Sequence, residues 1–511
     1  MELGTMLDAT VERDPQKEAL VFGERRWTYG QLREESLRAA RVLYDRGIRR
    51  GDTIGVMSFN TPGFVFAAFG AWYLGVTFIP VNHKLRPPEV AYTTTHSGMR
   101  LGIVSAELAV TAREGNPDIP WLETETEEPG SFDALCRAAE PFDLAVLPEA
   151  ERPTEDDVAQ VLYTSGTTSA PKGCVHPHRN MVQVAQIITL NMGYLPSDRY
   201  LMCMPIWHAA PLNIILLPMV FIGGTVVMMR EYDPVECMEI LARERVTVFF
   251  APTVGYVAPI HAAKKLGRDF ADYDISSVRI WNYGGAPIDR ETAQMLIGTY
   301  RTDRFYNLFG MSEMGPTGCI LRPDDQLRKA GSVGREAMWG NRMRVVTADG
   351  RDAGPGETGE IWFAGDTRMR EYLNNPEATA AAFEGEWYRS GDVARVDEDG
   401  YYYVVDRMKD VIIVGGENVF SLEVEEAIIA HPDVVDVAVV GRPDPEWGEQ
   451  VVAVVTTEAD TDLDLAALRD FLADTLARYK VPRDLLVVDV LPRNPAGKLL
   501  KHRLREMVAG A

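Results

Sequence analysis

One polar segment of the chain combines hydroxyl, glycine and lysine residues in a pattern that suits phosphate binding. The run Tyr163–Gly173 contains three threonines, two serines, two glycines and one lysine, and it follows the apolar stretch Val161–Tyr163, which predicts a buried strand. Glycines let backbone N–H groups approach an anion, hydroxyls donate hydrogen bonds, and Lys172 adds a positive charge. The spacing is not that of a Walker A loop, because five residues separate Gly166 from Lys172 and a glycine follows the lysine. The segment therefore predicts a phosphate-binding loop, with a Ser/Thr-rich surface turn as the alternative.

Four further polar clusters contain residue types that could act on a bound nucleotide. Asn307–Glu313 places a carboxylate after a glycine-containing turn, where it could hold Mg²⁺, and its phenylalanine could stack on a purine. Tyr388–Asp392 ends in a carboxylate that suits a ribose diol. Asp406–Asp410 precedes a pair of glycines, and Asn494–Lys498 puts a lysine on a turn from which it could enter a site as a mobile cation. Each cluster taken alone is also typical of a solvated surface turn.

Bulk composition excludes several classes of protein. The 511 residues predict two to four domains, and a hydrophobic content of 46% allows a large core. A net charge of −23 disfavours nucleic acid or an anionic membrane as a partner. Five widely spaced cysteines and no apparent signal peptide favour a cytoplasmic protein. The apolar stretches Phe64–Val81 and Ile214–Met229 are interrupted by glycine and proline, so we expect no membrane span. A homodimer is left open.

The order of elements predicts an α/β fold with two domains. Short β-branched runs alternate with helical patterns such as Thr28–Asp45 and Asp233–Glu244, which predicts helix-covered, mainly parallel sheets. Short strands separated by Gly/Pro/Asp turns then predict a small β-barrel at about 331–405. We therefore predict a large N-terminal domain at 1–406 and a small α+β domain at 407–511. The elements predicted in the latter are the helices Ser421–His431 and Asp464–Leu476 and the strands Val434–Val440 and Gln450–Val455.

Together, and in this order, these clusters resemble the adenylate-forming superfamily of acyl-CoA synthetases, adenylation domains and luciferases. The resemblance extends from Trp27–Gly30 to Lys498, and the loop Tyr163–Gly173 is its most specific part. Within the superfamily the chain is most similar to CoA ligases of the crotonobetaine/carnitine, medium-chain acyl and 4-coumarate types. Further matching segments are Ser332–Arg335, Asn374–Thr379 and Gly415–Val419. The resemblance implies ATP, Mg²⁺ and CoA as ligands. It also implies attack of a carboxylate on the ATP α-phosphate to give acyl-AMP and pyrophosphate, then displacement of AMP by the thiol.

The resemblance assigns roles in the first step to individual residues. Lys498 would bridge the carboxylate and the α-phosphate, Glu313 would hold Mg²⁺, and Lys172 would bind the β- and γ-phosphates. The family usually has threonine at 312 and tyrosine at 309, so Ser312 keeps the hydroxyl and Phe309 lacks the phenol. The residues implied at the ATP or AMP site are Thr164, Ser165, Gly166, Thr167, Thr168, Lys172, Gly284, Gly285, Ala286, Asn307, Phe309, Gly310, Ser312, Asp392, Arg407 and Lys498.

The resemblance also implies where the acid and the thiol bind. Met204–His208 matches an aromatic–His motif beside the acyl pocket, so His208 would gate the thiol tunnel or contact the carboxylate. The resemblance places the ATP and carboxylate site in 1–406 and implies that the small domain at 407–511 is mobile, with Lys409 as the hinge. The residues implied in the acyl pocket are Trp207, His208, Asn213, Tyr256, Tyr283, Leu308 and Gly318. Their aromatic rings favour a small to medium, cyclic or aromatic acid. The residues implied at the CoA site are Gly415, Gly416, Trp447, Tyr479 and Arg483.

Two alternatives to a CoA ligase stay open. Some relatives have a basic residue where this chain has Val481, so the acceptor could instead be an amine or the thiol of a carrier protein. A non-catalytic nucleotide-binding relative is the second alternative. The presence of Lys172, Glu313, Asp392, Arg407 and Lys498 together argues against it.

Overall fold

The computed structural model describes residues 1–164, 171–285, 288–415, 417–445, 447–458, 463–473, 475–493 and 499–509. The chain forms two compact units. The first comprises Met1–Thr164, Pro171–Met343 and Phe363–Tyr388, and the second includes Arg344–Trp362 and Arg389–Ala511. The domain boundary at 406/407 stays a prediction.

The strands in chain order are β1 (Glu18–Phe22), β2 (Arg25–Thr28), β3 (Thr53–Met57), β4 (Thr77–Pro80), β5 (Leu101–Ser105), β6 (Trp121–Thr124), β7 (Val158–Thr164), β8 (Lys172–Pro177), β9 (Arg199–Met202), β10 (Thr225–Met228), β11 (Val248–Ala251), β12 (Ile280–Gly284), β13 (Phe305–Gly310), β14 (Gly318–Leu321), β15 (Asn341–Val346), β16 (Thr358–Gly365), β17 (Glu371–Tyr372), β18 (Phe383–Glu384), β19 (Trp387–Val396), β20 (Tyr402–Arg407), β21 (Ile412–Val414), β22 (Glu417–Val419), β23 (Val434–Asp444), β24 (Gly448–Thr457) and β25 (Asp484–Val487).

The α-helices in chain order are α1 (Leu3–Arg13), α2 (Tyr29–Asp45), α3 (Pro62–Tyr73), α4 (Pro87–Ser97), α5 (Ala109–Gly115), α6 (Phe132–Ala138), α7 (His178–Met192), α8 (Leu217–Ile222), α9 (Pro234–Arg243), α10 (Thr253–Lys265), α11 (Arg290–Tyr300), α12 (Pro376–Ala382), α13 (Ser421–Ile429), α14 (Leu465–Leu472) and α15 (Lys501–Ala509). A π-helical segment, Ala210–Leu216, precedes α8.

Two sheets with parallel centres form the first unit. One has the order β14-β13-β12-β11-β9-β10-β1-β2, and all neighbours between β13 and β1 are parallel. The other has the order β17-β8-β7-β4-β3-β5-β6, with an antiparallel β7–β8 hairpin followed by parallel neighbours. Central strands such as β4 are buried throughout, as parallel sheets covered on both faces require. The predicted α/β class with mainly parallel sheets is confirmed.

Local signals explain where the first unit's elements begin and end. Thr28 caps α2 in a capping box with Gln31, which satisfies N–H groups at the start of the predicted helix. Asp233 caps α9 by accepting from two backbone N–H groups. In the apolar stretch 64–81, α3 ends at Tyr73 and Gly75 adopts a φ of +65°, which a glycine tolerates and which turns the chain into β4. Among the described residues, no helix has both the length and the apolarity needed to cross a membrane.

The second unit contains a sheet between two layers of helix. Its order is β22-β21-β24-β23, with β25 parallel to β24. Helices α13 and α14 bury Val424, Ile428 and Leu468 against one face, and α15 buries Leu504 and Val508 against the other. The predicted α+β character is confirmed. The β23–β24 pairing extends to Asp444 and Gly448, beyond both predicted strands, because backbone pairing continues through polar residues that the apolar pattern does not mark. Helix α14 ends at Leu472 rather than Leu476.

A five-stranded sheet corresponds to the predicted small barrel. Its order is β15-β16-β19-β18, and β20 pairs with β19. The divisions between the two units fall inside β15, β16 and β19.

Candidate functional site

The predicted phosphate loop joins the two strands of an antiparallel hairpin. Thr164 pairs with Lys172 and Tyr163 pairs with Gly173 across β7 and β8. The hairpin therefore brings a residue with a hydroxyl and a residue with an ammonium group together at the end where the loop joins its two strands. Four residues predicted in this loop, Ser165, Gly166, Thr167 and Thr168, lie outside the described residues.

Tyr372 links two of the predicted site residues. The Nζ of Lys172 lies 4.8 Å from the centre of the Tyr372 ring, a cation–π distance. The Tyr372 hydroxyl donates a 2.9 Å hydrogen bond to Oε1 of Glu313. Burial, and then the charge of Glu313, raise the pKa of Tyr372, so its hydroxyl remains a donor. One phenol therefore holds the lysine of the hairpin and the predicted metal-binding carboxylate in a fixed relation.

A buried histidine fixes the turn that presents Glu313. His176 on β8 is fully buried, and its Nε2 lies 2.7 Å from the backbone oxygen of Ser312. Because a carbonyl only accepts, Nε2 holds the proton. Burial lowers the pKa of His176 to about 4, so the imidazole is neutral at physiological pH. His176 thereby orients the segment that contains both Ser312 and Glu313.

The predicted adenine-binding residues lie where β12 and β13 end side by side. Gly284 is paired with Leu308 in the parallel ladder, and a Cβ on Gly284 would come within 2.7 Å of the Leu308 oxygen. Gly310 is tighter, because its Cβ would meet the Pro316 oxygen at 2.0 Å. Gly285 follows with a φ of +90°. Glycine is therefore required for this close packing and leaves backbone edges uncovered by side chains. Ala286 lies outside the described residues.

Two other residues of this group lie on β13 itself. The Nδ2 of Asn307, a buried residue, donates to the Ser332 oxygen at 3.3 Å. The Phe309 ring is half-buried, with its centre 6.2 Å from that of Phe363. Asn307 thus ties the end of the strand to the following loop, while Phe309 retains a partly exposed ring.

His208 lies in an aromatic group that includes a residue not predicted from the sequence. The rings of Trp207 and His208 are 3.8 Å apart. The Trp207 Nε1–H donates to Nδ1 of His83 at 3.1 Å. Burial lowers the pKa values of both histidines to about 4, and Lys84 contributes in the same direction. The group is therefore uncharged, and His83 determines where the indole lies. No motif in the sequence marks His83, which is separated from Trp207 by 124 positions.

The other predicted acyl-pocket residues are buried. Asn213 lies in the π-helical segment with no exposed surface. Tyr256 donates to the Asn282 oxygen at 2.5 Å, and Tyr283 donates to Gln326 Oε1 at 2.7 Å. Both hydroxyls are thus used within the protein, and both rings are packed in a hydrophobic core cluster. Leu308 and Gly318 are buried on the neighbouring strands β13 and β14.

In the second unit, the two residues predicted to bind ribose are cross-strand partners. Asp392 on β19 faces Arg407 on β20, and Arg407 Nε lies 2.7 Å from the buried Asp392 carboxylate. A charged pair of this kind orients both groups. The predicted hinge follows directly: the Lys409 oxygen accepts from Arg505 on α15 at 3.2 Å, and Arg505 also pairs with Asp410 at 2.6 Å. Lys498 lies outside the described residues.

Three of the predicted CoA-binding residues meet in the second unit. The Gly415 N–H donates to the Trp447 oxygen at 2.7 Å, and a Cβ on Gly415 would lie 3.0 Å from the indole. The Arg483 guanidinium lies 4.6 Å from the Trp447 ring centre. Trp447 and Tyr479 are both exposed, at 39% and 36%. The arrangement offers an exposed indole with a cation over it, as a nucleotide base and its phosphates would require. Gly416 lies outside the described residues.

Comparisons with known proteins agree with these features. A family described as AMP-binding enzyme matches residues 7–373, and its C-terminal domain matches residues 423–498. The chain is 33% identical to the long-chain-fatty-acid–CoA ligase FadD13 of Mycobacterium tuberculosis, over 99% of this chain and 98% of that protein. It is 34% identical to a feruloyl-CoA synthase of Amycolatopsis, over 98% of each. The structure of o-succinylbenzoate CoA synthetase from Bacillus subtilis with ATP and magnesium superimposes with a TM-score of 0.85, at 27% identity, over 98% of this chain and 99% of that one.

Proposed function

The chain belongs to the AMP-binding enzyme family, and from that premise we propose that it joins a carboxylic acid to CoA at the expense of ATP. The acid first displaces pyrophosphate from ATP to give acyl-AMP, and the CoA thiol then displaces AMP. The observation that carries this proposal is the contact of Tyr372 with both Lys172 and Glu313. The Tyr372 side chain thus contacts both Lys172, the cation for phosphate, and Glu313, the carboxylate for a metal ion.

In the first step the protein must bring a carboxylate anion to a polyphosphate anion. Lys172 and the hydroxyls of the hairpin would offset negative charge on the β- and γ-phosphates as it builds up in the transition state. The Glu313 carboxylate provides the hard oxygen that Mg²⁺ prefers, so the residues present fit that ion. When bound, Mg²⁺ supplies further positive charge to the phosphates. Lys498 would bridge the acid and the α-phosphate.

Two sets of residues would recognise the nucleoside. The glycine-lined end of β12 and β13 offers backbone groups and the Phe309 ring to the adenine. The Asp392–Arg407 pair would bind the ribose, because a carboxylate accepts from a diol and the guanidinium fixes its orientation. Lys409 would be the hinge at which the predicted C-terminal domain, 407–511, changes its pose between the two steps.

The acid would be small to medium in size, and cyclic or aromatic. The group around His208 is uncharged and aromatic, which supports an apolar, flat substrate. Relatives named for ferulate and o-succinylbenzoate, which are aromatic acids, support the same class. A neutral His208 would approach the carboxylate without a fixed charge. The Trp447–Arg483 pair supports CoA as the acceptor.

A stepwise assay tests the proposal. Pyrophosphate release is measured with ATP, Mg²⁺ and each of a panel of cinnamic, benzoic, medium-chain and long-chain acids, and CoA is then added. We expect release that depends on an aromatic acid, followed by a thioester detected by mass spectrometry. Acyl-AMP that persists with CoA present would point to an amine or carrier-protein acceptor instead. Absence of acid-dependent release across the panel would overturn the enzymatic function. The cytoplasmic location and a homodimer stay predictions.

A further inference from the structure

Helix α4 contacts the chain on both sides of the predicted phosphate loop. Tyr92 donates from its hydroxyl to the Pro171 oxygen at 2.9 Å. Four residues later, the Nδ1 of His96 lies 2.8 Å from the Tyr163 hydroxyl. Residues four apart share one face of a helix. One face of α4 therefore holds Tyr163, near the end of β7, and Pro171, just before the start of β8.

The charge states of the groups in this contact follow from the surroundings. Burial raises the pKa of the Tyr163 hydroxyl and lowers the pKa of His96, so the hydrogen bond joins two neutral groups. The rings of Tyr92 and His96 are stacked, with centres 5.2 Å apart and planes 17° apart. Each side chain therefore supports the other, and the two hydrogen bonds act as one anchor.

The anchor is also connected to the segment that contains Tyr372. The Asn374 side chain donates to the His96 oxygen at 2.9 Å, and the Leu373 N–H donates to the Gly173 oxygen at 2.8 Å. The residues after Tyr372 thus contact both α4 and β8. The segment 372–374, whose Tyr372 ring contacts Lys172, is therefore also bonded to α4.

We propose that Tyr92 and His96 are positioning residues for the triphosphate of ATP. By holding Tyr163 and Pro171, they orient the adjoining ends of β7 and β8, and with them Lys172, before ATP binds, so less conformational entropy is lost on binding. The inference rests on the proposed function, because that function assigns the loop to the β- and γ-phosphates. Neither residue touches the nucleotide in this scheme.

Nucleotide binding separates this role from a purely structural one. Tyr92→Phe removes one hydroxyl and keeps the stacked ring, and His96→Phe removes the ring nitrogen that bonds Tyr163 and keeps the stack. Affinities for ATP with Mg²⁺ and for AMP are measured by calorimetry. We expect the dissociation constant for ATP to rise about fivefold in each variant, the usual effect of one lost hydrogen bond. AMP should bind unchanged, because it lacks the β- and γ-phosphates.

A matched control is Tyr232→Phe, since Tyr232 also donates from a partly buried hydroxyl to a backbone oxygen, that of Gly255, at 2.8 Å. It should leave the affinity for ATP unchanged. Equal weakening of ATP and AMP binding, or no weakening of either, would overturn the inference.

Hydrogen exchange provides a test that needs no nucleotide. Peptides covering 161–174 should exchange faster in Tyr92→Phe and His96→Phe than in the wild type, and other peptides of the first unit should not. Unchanged exchange in 161–174 would overturn the anchor. If the wild type bound no ATP, the proposed function would fail, while the exchange experiment would still decide whether α4 holds the loop.

Discussion

The Tyr372 hydroxyl donates to the Glu313 carboxylate at 2.9 Å, while the ring of the same tyrosine lies 4.8 Å from Lys172 Nζ. The two charged groups would otherwise attract each other directly, and a direct ion pair would leave neither available to a ligand. The phenol contacts each through a different part of the side chain. It thus keeps a lysine and a carboxylate close together but separately available for phosphate and metal.

Replacing Tyr372 by phenylalanine should weaken the binding of Mg²⁺ more than the binding of ATP. The variant keeps the ring beside Lys172 and removes only the hydrogen bond that orients Glu313. Hydrogen bonds to charged groups contribute about 1.5–3 kcal/mol, so we expect roughly a tenfold rise in the Mg²⁺ concentration that gives half-maximal pyrophosphate release. Tyr73→Phe is a matched control, because Tyr73 donates to the Asp8 carboxylate at 2.7 Å. A lower Mg²⁺ requirement in Tyr372→Phe would mean that the hydroxyl competes with the metal.

Loss of the hydrogen bond between His83 and Trp207 should lower kcat/KM for the acid and leave the KM for ATP unchanged. His83→Leu removes the acceptor and Trp207→Phe removes the donor, so both delete the same interaction. In a double-mutant cycle on kcat/KM for the acid, we expect a coupling of about 1 kcal/mol, with the KM for ATP unchanged. His83→Asn, which retains an acceptor, should restore part of the loss. Additive effects of the two single variants would contradict a positioning role for His83.

The sequence predicts the fold class and the family because both depend on local patterns. The hydroxyl-rich loop ending at Lys172 and the turn containing Glu313 are each contiguous in the chain, and capping residues such as Thr28 mark helix starts directly. Tyr372 and His83 could not be predicted in the same way. Tyr372 meets Glu313 across 59 positions, and such a contact depends on how distant segments pack together, which no single segment encodes.

Lys498→Ala should separate the two half-reactions. A cation between the acid and the α-phosphate stabilises charge in the adenylation transition state, so its loss should reduce acid-dependent pyrophosphate release by a factor of 100 or more, roughly the effect of removing one transition-state charge contact. Thioester formation from supplied acyl-AMP and CoA should remain near the wild-type rate, because AMP departs in a different pose. Rapid-quench assays of each step measure both. Equal loss in the two steps would argue against a change of pose at Lys409.

His176→Gln should make the free energy of unfolding depend less steeply on pH between about 6.5 and 4. The pKa of His176 is lowered to about 4 in the folded protein, against about 6.5 for an unperturbed histidine. The unfolded chain therefore binds the extra proton first, and the contribution of His176 is present above pH 6.5 and lost as the pH falls toward 4. Within that window one such histidine changes the free energy of unfolding by at most about 1.4 kcal/mol per pH unit.

Glutamine can still donate to the Ser312 oxygen but cannot be protonated. Urea unfolding at pH 7.0, 6.0 and 5.0 should thus show a shallower decline in the variant than in the wild type. The exposed His261, replaced in the same way, serves as the control, and an unchanged slope in His176→Gln would mean that this imidazole is not held neutral by burial.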